Sequence, residues 1–233
     1  MEMIYTYMRL VHIVSGMTAF FVAPLALIAI KGGKNHKIWG NIFFWAMVLV
    51  AISAIPMTFY HPNLFLFLVA IFSFHLSLYG YRSVQRRRSV DLQKSMRIDF
   101  WIACIAALCY GGFIAWGIAV FFTSGSHAFG YIAIVFGLIG MRFSFRNFKA
   151  FRTPPTDTMQ WWFDHMQGMV GSYIATLSAF SAVNFYFLPD TLRWLWPTLA
   201  GVPLLFFWER YYKKKMNNHG SHKSEISPET MNV

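Results

Sequence analysis

Charge and cysteine are scarce in this sequence. Only 12% of its 233 residues are charged, whereas about 25% is typical of a soluble domain. The two cysteines, Cys104 and Cys109, lie inside one apolar run and form no CxxC motif. A disulfide framework is therefore excluded, and both side chains are interpreted as small apolar packing residues.

Familiar catalytic and nucleotide-binding patterns are missing as well. Walker, Gly-x-Gly-x-x-Gly, nucleophile-elbow and His-Glu-x-x-His patterns do not occur. The first residues lack a basic segment followed by a short apolar core and a small-residue cleavage site, so we expect a retained helix rather than a cleaved signal. These observations leave open whether the protein is an enzyme.

Acidic residues are outnumbered, and the net charge is +11. The basic residues lie between apolar runs, where lysine and arginine set membrane orientation and meet anionic lipid headgroups. We therefore expect the bilayer and its anionic lipids as partners, and we do not expect nucleic acid.

In place of charge, the sequence has seven long apolar runs. Each approaches or exceeds the roughly 20 residues that cross a bilayer, and in lipid each must be helical to satisfy its backbone. The sequence predicts an all-α polytopic membrane bundle in residues 1–212, followed by a polar tail at 213–233 that is predicted to be disordered. The runs cover residues 6–30, 38–60, 64–82, 98–122, 128–145, 161–187 and 191–212.

Loops that are rich in lysine and arginine alternate along the chain with loops that have few or none. The second and fourth loops have neither residue, and the sixth has only Arg193. This alternation predicts seven transmembrane helices in a multi-pass protein of the inner (plasma) membrane, with the N-terminus outside and the C-terminus cytoplasmic. The first, third and fifth loops and the tail hold Lys31, Lys34, Lys37, Arg86, Arg87, Arg88, Lys94, Arg97, Arg146, Lys149, Arg152, Lys213, Lys214, Lys215 and Lys223.

Three histidines are predicted to converge near the cytoplasmic face. At about 1.5 Å per residue, His75 lies roughly 10 Å deep in the third run and His165 roughly 6 Å deep in the sixth. His36 stands at the mouth of the second run. Ionisable residues inside a membrane are functional by default, so these three residues predict an inner site.

Three further histidines lie near the outer face. His12 enters the first run from outside, roughly 9 Å deep, while His61 and His127 occupy the two short outer turns. Together they predict a second, outer site. His219 and His222 belong to the tail and are expected to be solvated.

Two sites stacked across a bilayer favour haem b and transmembrane electron transfer, with a redox partner or other membrane subunits. A bis-histidine haem needs one neutral imidazole from each of two helices at similar depth. By depth, His75 with His165 is the preferred inner pair. The outer pair would be His12 with either His61 or His127.

Two other functions are weighed against haem binding. One is a zinc-dependent hydrolase acting on a lipid amide or ester, since zinc with three protein ligands and an open position activates water. The other is a cofactor-free transporter or accessory membrane subunit, although Asp99 and Asp164 are interpreted as favourable acids in first helical turns rather than as proton carriers. The zinc ligands would be His36, His75, His165 and Asp164.

Three segments resemble a bacterial family of multi-span membrane proteins known as domain of unknown function 2306. They read HKIWGN at 36–41, DHMQGMVGSY at 164–173 and HIVSGMTAFFVAPLAL at 12–27. The resemblance covers the first six runs, although Lys37 stands where the family usually has arginine and Met166 where a basic residue is common. It implies a multi-span topology and favours His36, rather than His75, as the partner of His165. It implies no activity.

Overall fold

A computed structural model describes residues 2–89, 92–123, 127–153 and 159–224. Within these ranges the chain forms seven α-helices and no strand, which confirms the predicted all-α bundle. In chain order the helices are α1 (Glu2–Ile28), α2 (Lys34–Tyr60), α3 (Leu64–Arg88), α4 (Leu92–Thr123), α5 (His127–Arg152), α6 (Gln160–Asn184) and α7 (Asp190–Ser224).

Within the described ranges, the first five helices are long and apolar enough to cross a membrane by themselves. The sequence of α6 is interrupted by Gln167 and several serines, yet Gln167, Ser172 and Ser178 are buried inside the bundle. Polar side chains in a membrane helix are expected to face the protein interior in this way. In α7 the apolar run is broken by Arg193 and two prolines. The chain is therefore a helical membrane bundle in which α6 and α7 depend on their neighbours.

Six of the seven helices are longer than the predicted runs, and α6 is slightly shorter. α3 continues to Arg88 and α5 to Arg152, so much of the basic third and fifth loops is helical. Arginine and lysine are good helix formers, and in a last turn they interact favourably with the helix dipole. The positively charged loops are thus largely extensions of the helices.

The last helix, α7, continues through Ser224 and so includes the first part of the predicted polar tail. Lys213 pairs with Glu209 one turn earlier, with 2.6 Å between Nζ and Oε1, and such pairs stabilise helices. His219 and His222 lie on this extension. Residues 225–233, also part of the predicted tail, lie outside the described residues.

Local signals explain two of the helix boundaries. Asn63 caps α3, since its side-chain oxygen accepts a hydrogen bond of 3.0 Å from the Leu66 amide. After α1 the chain turns at Gly32, whose φ of +78° lies in the left-handed region that favours glycine. The amide of Gly33 then donates to the Ile30 carbonyl at 3.0 Å. The first basic loop is therefore a tight turn that brings the end of α1 against the start of α2.

Two helices, α3 and α6, form the centre of the bundle. α3 contacts α2, α4, α5 and α6, while α6 contacts α1, α3 and α7. Consecutive helices pack in pairs, α1 with α2 and α4 with α5, and α7 lies against α5 and α6. The main core is aromatic and lies where α3, α4 and α5 meet, with the Phe72 and Phe136 rings stacked at 4.9 Å. A smaller core joins α1 and α2 through Ala19, Ala23 and Phe43.

Candidate functional site

A cavity of about 550 Å³ opens between α1, α2, α3 and α6, at the end of the bundle where the basic loops lie. The backbones of α2 and α6 do not touch, because α1 and α3 contact both helices and hold them apart. Only side chains cross the gap. The volume falls within the range of about 300–1,000 Å³ that is usual for small-molecule sites.

His36 of α2 and His165 of α6 face each other across this gap. Their ring centres are 6.1 Å apart, and the ring planes are inclined by 77°. Both side chains line the cavity. Of the three histidines predicted for an inner site, the structure brings together these two.

Each of the two imidazoles is held by a backbone carbonyl. The Nδ1 atom of His36 lies 2.9 Å from the Ala26 carbonyl oxygen of α1, and that of His165 lies 2.9 Å from the Gly80 carbonyl oxygen of α3. A carbonyl can only accept a hydrogen bond, so each ring carries its proton on Nδ1 in these contacts. Each Nε2 then keeps a lone pair, which is the arrangement found in metal-ligating histidines.

A close helix contact places the Gly80 carbonyl within reach of His165. A Cβ atom on Gly168 would lie 2.4 Å from the Gly80 amide nitrogen, and one on Gly80 would lie 2.7 Å from the Met169 amide nitrogen. No side chain fits at either position, because the obstructing atoms belong to the backbone. These two glycines therefore let α3 and α6 approach closely enough to fix the His165 ring.

The remaining lining of the cavity combines aromatic and basic side chains. Trp161 and Trp162 lie on the α6 side, and the guanidinium of Arg87 stacks over the Trp161 ring at 4.2 Å. Lys31 donates to the carbonyl oxygens of Ala26 and Leu27 at the end of α1. Burial lowers the pKa of the Lys31 ammonium from its ordinary value. Among the described residues no carboxylate lines the cavity.

A network of paired charges, here called the charge layer, lies at the same end of the bundle. The Asp164 carboxylate accepts from Arg146 at 2.6 Å and contacts Arg86 at 3.5 Å, and Asp99 accepts from Arg82 and from Arg86. The network reaches α7, because Gln167 donates to Glu209 at 2.5 Å. The charge layer joins α3 to α7 through Arg82, Arg86, Asp99, Arg146, Asp164, Gln167 and Glu209.

The charge layer corrects the interpretation of both aspartates. Neither Asp99 nor Asp164 lies in the first turn of its helix, since α4 begins at Leu92 and α6 at Gln160. Both are buried and are paired with arginines on neighbouring helices. The sequence contained a signal for this pairing, because an isolated acid among apolar residues in a membrane helix needs a partner of opposite charge.

His75 lies away from the cavity. Its side chain is 4% exposed, its Nδ1 is 2.7 Å from the Tyr110 hydroxyl of α4, and its Nε2 has no hydrogen-bond partner among the described residues. The part of α3 that lines the cavity begins later, at Tyr81. The structure therefore does not bring His75 and His165 together, which was the pair chosen by depth. It does bring together His36 and His165, the pair favoured by the family resemblance.

The four proposed zinc ligands are also not assembled. Asp164 binds arginines, and His75 binds a tyrosine, so His36 and His165 stand without a third donor. Across the described ranges, no group of three or more His, Cys, Asp or Glu side chains is placed to hold a metal ion.

The outer histidines do not converge. His12 hydrogen-bonds through Nδ1 to the Val50 carbonyl and the Ser53 hydroxyl, both at 3.1 Å, while His61 packs against Tyr5 two turns of α1 away. His127 is exposed and contacts Phe121 of α4, a helix that touches neither α1 nor α2. The predicted outer site is therefore split between two parts of the bundle.

The fold and the cavity together define a polytopic helical membrane protein with a basic, histidine-lined cavity at one end. A model of the family of predicted membrane proteins designated DUF2306 matches residues 9–145, which is more than half of the chain. The protein belongs to this family. The match includes His36 but ends before the segment around His165. No curated protein and no solved structure matches the chain.

Proposed function

We propose that this protein is a membrane redox protein that binds haem b between His36 and His165. The observation that carries the proposal is the pair of imidazoles facing each other across the cavity. Each is held through Nδ1, His36 by a carbonyl of α1 and His165 by a carbonyl of α3. The pair lies at the end of the bundle that the positive-inside pattern assigns to the cytoplasm.

The spacing of the rings supports one shared iron. A metal–imidazole bond is about 2 Å long and a ring nitrogen is about 1 Å from the ring centre, so two imidazoles that shared one metal ion would have ring centres at most about 6 Å apart. The observed separation is 6.1 Å. His36 and His165 would together hold the haem, and a haem held by two imidazoles would supply electron transfer.

The surroundings of the pair suit a flat, largely apolar ligand. Phe43, Trp161 and Tyr173 line the cavity with aromatic surface, and Met166 and Met169 supply adaptable apolar contacts. The haem iron would supply the one-electron chemistry. The protein would hold the two imidazoles in one tautomer, limit the access of water and bring the group to the membrane surface, where a redox partner could meet it.

The zinc-dependent hydrolase has weaker support in this geometry. Catalytic zinc usually has three protein ligands and one open position. Here the histidine pair has no third ligand in the described part of the chain. The facing imidazoles favour haem binding over a cofactor-free transporter, so haem binding is the function that we pursue.

The test is a reduced-minus-oxidised visible spectrum of the detergent-purified protein, with iron and zinc measured on the same sample. We expect a sharp α band and one iron per chain. His36→Ala and His165→Ala should each remove the band, because each deletes an axial ligand. His61→Ala serves as the matched control, since that ring is exposed and lies at the other end of α2.

Either of two results would contradict the proposal. One is a protein that folds, as judged by a single gel-filtration peak, and still shows no α band after expression with added haem precursor. The other is a band that survives in both variants of the pair. Retention in His36→Ala with loss in His75→Ala would instead support the pair chosen by depth.

A further inference from the structure

Four basic side chains at the mouth of the cavity have no acidic partner among the residues that the structure describes. They belong to the α1–α2 turn, the first turn of α2 and the last turn of α3. Arg87 contacts an aromatic face, and Lys31 contacts backbone carbonyls. Within the described ranges none of the four forms an ion pair, and the set is Lys31, Lys37, Arg87 and Arg88.

In the nearby charge layer, by contrast, the arginines are paired with acids. On α3 itself, Arg82 and Arg86 point into the layer and bind Asp99, whereas Arg87 and Arg88 line the cavity. The two aspartates of the layer are thus already paired with arginines that do not line the cavity. Four positive charges close together repel one another, and the repulsion is relieved by an anion placed among them.

Membrane topology alone does not explain where these side chains lie. The positive-inside pattern requires basic residues near helix ends but does not require them to surround a cavity. Lys37 is also unfavourable for its own helix, because a cation in a first turn opposes the helix dipole. Basic pockets between helices at the cytoplasmic surface are typical sites for anionic headgroups.

We infer that the mouth of this cavity binds the anionic oxygen groups of an amphiphilic ligand whose apolar body fills the aromatic interior. The inference rests on the proposed function for the identity of that ligand. If haem is bound, the anionic groups are its two propionate carboxylates, which then face the basic end of the bundle. If haem is not bound, the same chemistry is offered by the phosphate of an anionic lipid.

The first experiment compares iron protoporphyrin IX with its dimethyl ester, in which both carboxylates are neutral. Each is titrated into the haem-free protein in neutral detergent, and binding is followed by the bis-imidazole spectrum. We expect the free acid to bind about tenfold or more tightly, as charge-assisted hydrogen bonds require. Arg87→Gln/Arg88→Gln should reduce that preference, measured as the ratio of the two affinities, because two of the four basic side chains are removed.

A control variant separates specific contacts from total charge. Lys34 lies one turn before Lys37 on α2, is exposed and does not line the cavity. Lys34→Gln/Arg152→Gln removes the same amount of charge as the double arginine variant but leaves the mouth intact. It should keep the preference for the free acid. Equal loss in both double variants would mean that only net charge matters and would overturn the inference.

The second experiment replaces the porphyrin with brominated lysophosphatidylglycerol or brominated lysophosphatidylcholine. Bromine quenches nearby tryptophan fluorescence, and Trp161, Trp162 and Trp208 line the cavity. Stronger quenching by the anionic lipid, lost in Arg87→Gln/Arg88→Gln, would identify a lipid phosphate as the bound group. With no imidazole spectrum in the first experiment, that result would refute haem binding and support the anion site. Absence of charge preference with both ligand types would refute the anion site itself.

Discussion

The two sides of α3 are packed differently: one faces a filled core and the other faces a cavity. On the side called here the closed flank, α4 and α5 meet α3 in an aromatic core where Phe113, Ile132 and Phe136 are at most 1% exposed. On the open flank, α1, α2 and α6 surround a cavity of about 550 Å³. The same central helix thus contributes to a filled core on one side and to the wall of a cavity on the other.

Histidine behaves differently on the two flanks. On the closed flank, His75 is bonded to a buried tyrosine and is 4% exposed. On the open flank, His36 and His165 are each bonded to a carbonyl and direct the rest of the ring toward the cavity. The comparison teaches that depth in the membrane does not decide which histidine can bind a ligand. The neighbouring helix surface decides it.

The largest effect is expected where the two flanks are tied together, in the charge layer. Asp164→Asn should destabilise the protein by about 3 kcal/mol, because Arg146 would lose the carboxylate that it pairs with and Arg86 would keep only Asp99. Equilibrium unfolding in mixed micelles would measure the loss. Asp190→Asn is the control, since its carboxylate is 53% exposed and its pair with Arg193 contributes little. Equal losses in the two variants would show that the layer is not the tie between the flanks.

A smaller effect is expected at the contact that orients His165. Gly168→Ala would place a methyl group 2.4 Å from the Gly80 nitrogen, so α3 and α6 must separate at a cost of about 1–3 kcal/mol. Ligand binding by His165 should weaken in parallel. Gly171→Ala, one turn away on α6, meets only Leu76 at 3.5 Å and should change neither property. If the two alanine variants behave alike, close approach of the helices is not what orients His165.

On the closed flank, Tyr110→Phe should lower stability by about 1–2 kcal/mol without changing the ligand spectrum. The substitution removes the partner of the buried His75 ring but leaves the cavity untouched. Unfolding and the reduced-minus-oxidised spectrum should be recorded on the same preparation. A shifted or missing α band would place His75 in the functional site and break the division between the flanks.

The smallest effects are expected at the exposed outer histidines. His61→Ala and His127→Ala should each change stability by less than about 0.5 kcal/mol and leave the spectrum unaltered, because both rings are exposed. His12→Ala should cost more, since His12 bridges α1 to Val50 and Ser53 of α2. A spectral change in any of these three variants would indicate that the outer histidines do bind a ligand.

Much of the fold could be predicted because lipid leaves the backbone few choices. The seven predicted apolar runs correspond to seven helices. The turn between α2 and α3 ends at Asn63, whose side chain caps α3. The ends of the helices were less predictable. Arginine and lysine mark where a membrane ends, but they are also good helix formers, so α3 and α5 extend into the basic loops.

The site was less predictable, because the sequence gives the depth of each histidine in the membrane but not its position around the bundle. His36, His75 and His165 had similar predicted depths, and the choice between them depends on which face of α3 meets α4 and which meets α6. Gly168 and Gly171 of α6 permit close helix contact, but the sequence does not show which helix they meet. The motif at 36–41 supplied the missing information only through resemblance to a family.

The order of charges along the chain has a consequence for membrane insertion. Arg82 and Arg86 are synthesised before Asp99, and Arg146 before Asp164. Both aspartates therefore enter the membrane when a basic partner is already there. The arginines are the groups that wait, each for a single helix: Arg82 and Arg86 wait for α4, and Arg146 waits for α6. A chain truncated after α5 would keep that arginine unneutralised, and we expect the cell's quality control to recognise it as unfinished.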